Sequence, residues 1–326
     1  MHFQSFRRAL RAVLPLLALA AMPQAAAQAY PDRPLRLVVG FAPGGGTDVL
    51  ARLIAMRLSE RLGQPVTVEN RPGGNMIIGM EAVAKAPADG YTIGMAATPT
   101  VTNPALYAKL PFDTAKDFTW VTQLTTSGLV LLAHPDVPAA TVKDVIALAK
   151  RDPGKLVYGS SGNGGSVHLS GVMFEKLAGI GMTHVAYKGN GPAITDLLAG
   201  RVAFVFGDIP QVAPYIKSGK LKALAVTTQR RVPSLPEVPS MVEAGVPGYE
   251  VPVWYGVLAP ANLPRPITAL LAREMREVMN LPSVREQFTG WGVQAVGSAP
   301  EEFDAFIRAE LSKWAGVIKS ANIRLD

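Results

Sequence analysis

The sequence predicts a two-lobed α/β protein in which each lobe is a mainly parallel sheet flanked by helices. Three observations favour this fold class. Strands and helices alternate in two successive series, a Gly-rich turn joins a strand to a helix in each series, and two long amphipathic helices follow near the C-terminus. Such alternation implies parallel strands covered by crossover helices. At 326 residues the chain is long enough for two domains, each with its own core.

The first series begins with an apolar strand over 35–41. This strand runs directly into the Gly-rich turn Ala42–Asp48, and a helix with apolar periodicity continues to about Leu62. A strand over 65–69, a helix over 76–85 and a strand over 91–97 follow, joined by Gly or Pro. The result is one βαβαβ unit.

The second series repeats this architecture. It has strands over 129–133, 156–159, 184–187 and 202–206 and helices over 141–150, 166–177 and 192–198, and its tail adds strands near 224 and 255 and helices over 266–279 and 300–319. These last elements exceed what the second unit needs, so we expect the chain to return to the first lobe. Lobe 1 is then 30–126 together with 229–326, and lobe 2 is 127–228. The second boundary lies between 228 and 253, where five prolines stiffen the connection.

Residues 1–29 have the pattern of a secretory signal peptide. Three arginines precede an apolar stretch over 12–21, and small residues lead to Ala29. The apolar stretch is shorter than the roughly 20 residues of a membrane span. We expect cleavage after Ala29, with Ala27 as the alternative site, and an exported mature protein. An uncleaved anchor is the competing interpretation.

The charge distribution argues against a nucleic-acid partner. The formal net charge is +7, but the leader contributes three arginines and no acid, which leaves 29 basic and 25 acidic residues. The remaining excess is spread thinly, with Arg230 and Arg231 as its one local cluster after the leader. A polyanion-binding surface needs a denser basic patch.

The first Gly-rich turn is a candidate seat for an anion. It precedes a helix, and helix N-termini at the carboxyl edge of a sheet offer unpaired N–H groups and positive partial charge. The phosphate motifs fail, because this turn has no Lys-Ser/Thr pair after its glycines and Val49 stands where the third dinucleotide glycine belongs. Asp48 is either a helix-capping or first-turn acid, or a partner for a ligand ammonium or hydroxyl.

The second Gly-rich turn, Gly159–His168, mirrors the first across the predicted cleft. The Gly-x-Ser-x-Gly elbow of a hydrolase is absent, because Asn163 follows Gly162. His168 has three open roles: structural hydrogen bonding, ligand contact and catalysis. Catalysis by paired carboxylates also stays open, with Asp48 and Asp208 as the pair that a cleft would bring together.

Neither a metal nor a cofactor is expected. The three histidines after the leader, His134, His168 and His184, are far apart in sequence, and the chain has no cysteine. Among the aromatic residues, Phe41 and Trp254 are assigned to the cleft because each adjoins a predicted loop or crossing strand.

Several segments, in order, resemble one known family. The segments are Tyr30–Arg36, Phe41–Asp48, Val68–Gly73, Ala88–Tyr91, Tyr158–Gly162, His168–Leu169, Tyr187–Gly189, Pro192–Leu198, Ile216–Ala225 and Trp254–Gly256. Together they resemble the substrate-binding proteins of tripartite tricarboxylate transporters, often called Bug proteins. The resemblance implies a periplasmic, monomeric flytrap of the type II-like class that closes on a small organic acid. It would deliver that acid to the membrane permease subunits without catalysis.

The resemblance also implies which residues contact the ligand. Main-chain N–H groups, hydroxyls and waters at helix starts hold the carboxylate in this family, rather than a buried arginine. The implied contacts are Phe41, Pro43, Gly44, Gly45, Gly46, Thr47, Asp48, Met76, Thr98, Ser160, Ser161, Gly162, Asn163, Ser166, His168, Gly207 and Asp208.

The chain departs from the family pattern at several of these positions. Met76 and Ile77 stand where Gly and Asn are common, Val172 stands in place of a frequent Glu, and Ala203 and Gly207 replace common acids. If these positions face the cleft, the ligand is a monocarboxylate or an aromatic acid. If they are packing variants, they say nothing about the ligand. Two other functions are weighed: a ligand sensor or ancillary binding protein of the same fold, and a secreted α/β hydrolase.

Overall fold

The computed structural model describes residues 30–44, 46–187, 189–321 and 323–325. The predicted signal peptide, residues 1–29, and the predicted ligand contact Gly45 lie outside these ranges. Within them, no helix is long and apolar enough to cross a membrane.

The chain forms its elements in three stretches. The first holds β1 (Leu35–Val39), α1 (Gly46–Leu62), β2 (Val66–Asn70), α2 (Ile77–Ala84), β3 (Thr92–Ala97), α3 (Thr98–Leu106) and β4 (Phe118–Ser127). The second holds β5 (Leu129–Ala133), α4 (Val142–Arg151), β6 (Val157–Ser160), α5 (Ser166–Ala178), β7 (Thr183–Ala186), α6 (Asn190–Leu198), β8 (Phe204–Asp208), α7 (Ile209–Lys217) and β9 (Lys222–Val226). The third holds β10 (Val253–Pro260), α8 (Arg265–Asn280), α9 (Pro282–Gly290), β11 (Val293–Ala295) and α10 (Pro300–Ser320).

The strands build two sheets, which confirms the predicted two-lobed α/β fold class. The first sheet has the order β11-β4-β10-β3-β1-β2 and the second has the order β7-β6-β8-β5-β9. The first sheet therefore takes strands from both ends of the chain, and the second takes a continuous middle stretch.

Both sheets are mixed rather than mainly parallel. The strands β1, β2 and β3 are parallel, as are β6, β7 and β8, and each of these sets comes from the predicted βαβ series. The strands that run against these sets are β10 and β11 in the first sheet and β5 in the second. Of these, β10 and β5 start where the chain arrives from the other sheet. A strand that enters a sheet at the edge where its parallel strands end must run against them.

Helices pack on both faces of the first sheet, and β1 shows how. Leu37 and Val39 lie in one buried cluster with Ile54 of α1, whereas Val38 lies in another with Met80 of α2. Successive strand residues point to opposite faces, so a strand covered on both sides is apolar throughout. This explains the apolar run Leu37–Val39 in β1.

Candidate functional site

The predicted site residues lie at the carboxyl ends of the parallel strands. In the first sheet the turn 40–46 follows β1, Met76 follows β2 and Thr98 follows β3. In the second sheet the turn 161–165 follows β6, and Asp208 ends β8. Ligands of open α/β sheets bind at such edges, because the loops and helix N-termini converge there.

The two edges contact each other in the structure. The Thr102 hydroxyl of α3 donates a 3.2 Å hydrogen bond to the carbonyl of Gly164 in the second turn. Gly164 has φ +77°, and a Cβ built on it would lie 2.4 Å from the Leu106 Cδ1 and 3.5 Å from the Asn75 Nδ2. The second Gly-rich turn therefore packs against α3 and the start of α2.

At the end of the first turn, three hydrogen-bond donors hold the carboxylate of Asp48. Its carboxylate accepts hydrogen bonds from the Gly44 N–H at 2.9 Å, the Arg52 Nε at 2.9 Å and the Asn70 Nδ2 at 2.9 Å. The hydrogen bond from Arg52, with those from Gly44 and Asn70, lowers the pKa of Asp48 to about 2. This buried carboxylate stabilises the turn through its hydrogen bond from Gly44.

Asp48 and Asp208 have separate hydrogen-bond partners. The carboxylate of Asp48 accepts from Gly44, Arg52 and Asn70, whereas that of Asp208 accepts from the Asn190 Nδ2 at 2.8 Å. Burial raises the pKa of Asp208. Asp48 lies at the edge of the first sheet, and Asp208 lies at the edge of the second.

Tyr255 is a site residue that the sequence analysis missed. Its hydroxyl lies next to the start of α1, since a Cβ built on Gly46 would be 3.6 Å from it. Burial and the charge of Asp208 raise the pKa of Tyr255 to about 12. The tyrosine thus lies between the start of α1, in the first edge, and Asp208, in the second.

The assignment of Trp254 to the cleft is wrong. Its ring is fully buried and packs edge-on against Phe303 and Phe306 of α10. Side chains alternate along a strand. When Trp254 points into the core, its neighbour Tyr255 points to the other face, where the site lies. Phe41, the other assigned aromatic residue, is half-buried, and its carbonyl accepts a hydrogen bond from Asn70.

The second turn is organised by Ser160 and two histidines. The Ser160 hydroxyl lies 2.6 Å from the His184 Nε2 and hydrogen-bonds the Gly162 carbonyl at 3.1 Å. The His168 Nδ1 accepts from the Gly164 N–H at 3.0 Å. Burial, with a smaller contribution from His184, lowers the pKa of His168 to about 3, and burial also lowers that of His184. Both rings are therefore neutral at pH 7 and hold the turn.

The other predicted contacts differ in exposure. Thr98 is buried at the start of α3. The exposed ones are Pro43, Gly44, Gly46 and Asn163, and the partly exposed ones are Ser161, Gly162 and Ser166. The two turns thus present mostly backbone and small side chains to solvent.

The residues that suggested an apolar cleft have packing roles. Met76 is 1% exposed, and a Cβ on Gly40 would lie 2.9 Å from its side chain. Val172 is buried in the same core cluster as Met76. A Cβ on Gly207 would meet Leu132 and Val212, so Gly207 has only its backbone to offer a ligand. These positions therefore give no argument for an aromatic ligand.

The described residues hold no metal-ligand cluster at these edges, and a cavity near β4 lies elsewhere. In the part of the chain that the structure describes, no group of three or more His, Asp or Glu residues is placed to hold a metal ion. A cavity of about 740 Å³ lies between β4, α8 and α10 and is lined by residues such as Trp120, Arg273 and Asp304, away from both turns.

Two sheets whose carboxyl edges meet, each with a Gly-rich turn before a helix, define the class of two-lobed solute-binding proteins. A family model confirms this class. The family described as "Tripartite tricarboxylate transporter family receptor" matches residues 50–323, and the chain belongs to that family. Its members are periplasmic binding proteins, so the resemblance inferred from the sequence segments is confirmed.

Solved structures of periplasmic binding proteins support the same class. The periplasmic binding protein BugD is 32% identical, with a TM-score of 0.78 over 91% of this chain and 100% of that one. MatC from Rhodopseudomonas palustris, solved with bound malate, is 31% identical, with a TM-score of 0.79 over 89% of this chain and 100% of MatC. A further R. palustris protein, solved with adipate, is 37% identical, with a TM-score of 0.82 over 91% of this chain and 100% of its own.

Proposed function

We propose that the protein is a periplasmic receptor that captures a small organic acid between its two lobes and delivers it to a tripartite tricarboxylate transporter permease. We place the lobes at the predicted bounds, 30–126 with 229–326 and 127–228, with the second boundary toward the 253 end of its range because Val232 and Val238 pack in a core cluster of the second sheet. The observation that carries the proposal is the contact of α3 with the second Gly-rich turn, which brings together the carboxyl edges of two sheets that each have a Gly-rich turn before a helix. Malate and adipate in related structures support a carboxylate ligand.

The chemistry of the two turns suits a carboxylate. The first N–H groups of a helix have no partner within it, and they carry positive partial charge. Glycines such as Gly44 and Gly46 leave these groups accessible. The hydroxyls of Thr47 and Ser166 stand at the same helix starts. Neutral donors satisfy an anion without the desolvation cost of burying a second full charge.

A thermal-shift screen tests ligand capture directly. The mature protein is unfolded, freed of copurified ligand, refolded and mixed with C3 to C8 aliphatic acids, amino acids and aromatic acids. An acid at 100 times its dissociation constant adds roughly 2.7 kcal/mol of stability and raises the melting midpoint by several degrees. If no acid on the panel raises the midpoint, the proposal is wrong.

Closure of the lobes is a second test. Hinge proteins bury their ligand by rotating one lobe onto the other. Small-angle scattering of a monomer with a saturating hit from the screen should show a smaller radius of gyration than the unliganded protein. An unchanged radius in the presence of bound acid would contradict capture between lobes.

Export and delivery have their own tests. The mass of the protein from the periplasmic fraction should match cleavage after Ala29. Uptake of the labelled acid by cells should require both this protein and the permease. Uptake that is unaffected by deleting the permease genes would favour the sensor or ancillary role instead.

We also propose that the protein catalyses no reaction on its ligand. Ser160 and His184 are 2.6 Å apart like a nucleophile and its base, but the Ser160 side chain is fully buried and hydrogen-bonded within its own turn. A nucleophile must reach its substrate. Turnover of ester or amide substrates that is lost on Ser160→Ala would favour the hydrolase instead.

A further inference from the structure

We propose that Asp208 and Asn190 form an acceptor pair that binds an ammonium group on the captured acid, so that the ligand class is an aminocarboxylic acid. The inference rests on the proposed function and names the ligand of that site. Asn190 begins α6 and Asp208 ends β8, and both lie at the carboxyl edge of the second sheet.

The orientation of the Asn190 amide is fixed by its neighbour. Its Nδ2 donates to the Asp208 Oδ2 at 2.8 Å. The reverse orientation would set the amide oxygen against the carboxylate, two acceptors with no proton between them. The Oδ1 therefore points elsewhere. It is buried and has no hydrogen-bond partner among the residues that the structure describes.

An orphaned buried acceptor is costly and calls for a donor. A buried polar group that is left unpaired has lost its hydrogen bonds to water without replacing them, so native proteins rarely leave one without a reason. A ligand N–H that reaches the Asn190 Oδ1 would remove this cost.

Asp208 adds the negative charge. It occupies the N-cap position of α7, where an Asp side chain usually accepts from the helix N–H groups, yet it makes no capping hydrogen bond. Its carboxylate is turned to Asn190 instead. A half-buried carboxylate next to an unpaired amide oxygen is a site for a cation with several N–H donors, and an ammonium group has both the charge and the donors.

The two ends of the cleft then have opposite preferences. The starts of α1 and α5 offer N–H donors to the ligand's carboxylate, and the acceptor pair receives its ammonium. A terminal methyl gives the pair no donor, and a second carboxylate is repelled by Asp208. A hydroxyl supplies one donor without charge. Charge-assisted hydrogen bonds are roughly twice as strong as neutral ones, which places the ammonium first.

A matched ligand series tests this order. For each chain length from four to six carbons, calorimetry measures the dissociation constants of the acids that end in methyl, hydroxyl, ammonium and carboxylate. The ammonium acid should bind about tenfold or more tightly than the methyl acid of the same length. Equal binding of the ammonium and methyl acids at every length, or tighter binding of the dicarboxylate, would overturn the inference while the receptor function stands. If no acid in the series or in the wider panel binds, the proposed function and this inference both fail.

Two variants tie the preference to the named residues. Asp208→Asn removes the charge at nearly constant shape, and Asn190→Ala removes the orphaned oxygen. Each should reduce the ammonium-to-methyl ratio toward one. Asp196→Asn is the matched control, because Asp196 lies on α6 but bonds to Tyr187 and Arg201. It should keep the wild-type ratio. If Asp208→Asn fails to fold, Asn190→Ala decides alone, and an unchanged ratio in the folded variants contradicts the assignment.

Discussion

The imidazole rings of His168 and His184 stack with their centroids 4.0 Å apart and their planes 23° apart. His168 accepts a hydrogen bond from the Gly164 N–H at Nδ1, so its proton is on Nε2. Two stacked imidazolium rings would repel each other, and burial already disfavours the charge on each. The stacked pair holds the second Gly-rich turn only while both rings are neutral.

This stacking predicts a loss of stability in mild acid. The folded pKa of His168 is about 3 and its ordinary value is 6.5, so the unfolded state takes up a proton as the pH falls below about 6.5. The contribution is present above that pH and is lost progressively toward pH 3. Between pH 7 and pH 5 it amounts to about 2 kcal/mol for this one residue. Urea unfolding of wild type and His168→Phe at both pH values measures it.

His168→Phe keeps a flat ring but has no titratable nitrogen, so its stability should fall less between pH 7 and pH 5. It should also be less stable at pH 7, because the Gly164 N–H loses its acceptor. Asn163→Ala, at an exposed position of the same turn, is the control and should keep the wild-type pH dependence. An identical acid loss in His168→Phe and wild type would contradict the neutral-pair interpretation.

Asp48 predicts a second loss of stability in acid, at lower pH than that of His168. Its folded pKa of about 2 lies below the ordinary 3.8, so its contribution is present above about pH 4 and is lost as the pH falls toward 2. Asp48→Asn should destabilise the protein by about 1 kcal/mol at pH 7, allowing for solvent screening at the half-exposed Arg52. The difference from wild type should shrink by pH 3.

Thermal or urea unfolding at pH 7 and pH 3 checks this prediction. Asp152→Asn is the control, because Asp152 pairs with Arg151 and Lys155 at the surface. Surface ion pairs contribute little. If the difference in unfolding free energy between wild type and Asp48→Asn stays constant with pH, the charge of Asp48 does not stabilise the turn.

The fold class and both turns could be predicted from the sequence because their signals are local. An apolar run such as 35–39 followed by Gly and a periodic helix needs no distant partner to be recognised. The helix α3 was missed for the converse reason. Its sequence from Thr98 to Leu106 is rich in Thr and contains Pro99 and Pro104, so local propensity argues against a helix. Burial of Thr100 and Thr102 stabilises it through tertiary contacts.

The site was predicted less completely, because side-chain direction and long-range pairs decide it. Trp254 and Tyr255 adjoin each other, and the sequence does not state which of them faces the site, since β10 is apolar on both faces. Asn190 gave no signal, because its role depends on Asp208, 18 residues away. A search for amide side chains beside each strand end would have found it.

Gly164 and Gly154 provide the sharpest test of the contact between the two sheet edges. They have nearly the same backbone conformation, with φ of +77° and +75°. A Cβ on Gly154 would meet nothing within 4 Å, whereas on Gly164 it would lie 2.4 Å from the Leu106 Cδ1 and 3.2 Å from the Leu325 Cδ1. Both Ala variants therefore incur the left-handed backbone cost of about 1–2 kcal/mol. Only Gly164→Ala also forces apart the second turn and the buried Leu106.

Gly164→Ala should thus be less stable than Gly154→Ala by about 1 kcal/mol or more, as expected for overpacking. Urea unfolding of both variants at pH 7 gives this difference with the backbone strain cancelled. A second substitution, Leu106→Ala, makes room for the new methyl, so the cost of Gly164→Ala should be smaller in that background than in wild type. The same difference in stability for Gly164→Ala and Gly154→Ala would mean that the turn and α3 do not press together in solution, and that the two sheet edges stand farther apart than the Thr102 hydrogen bond requires.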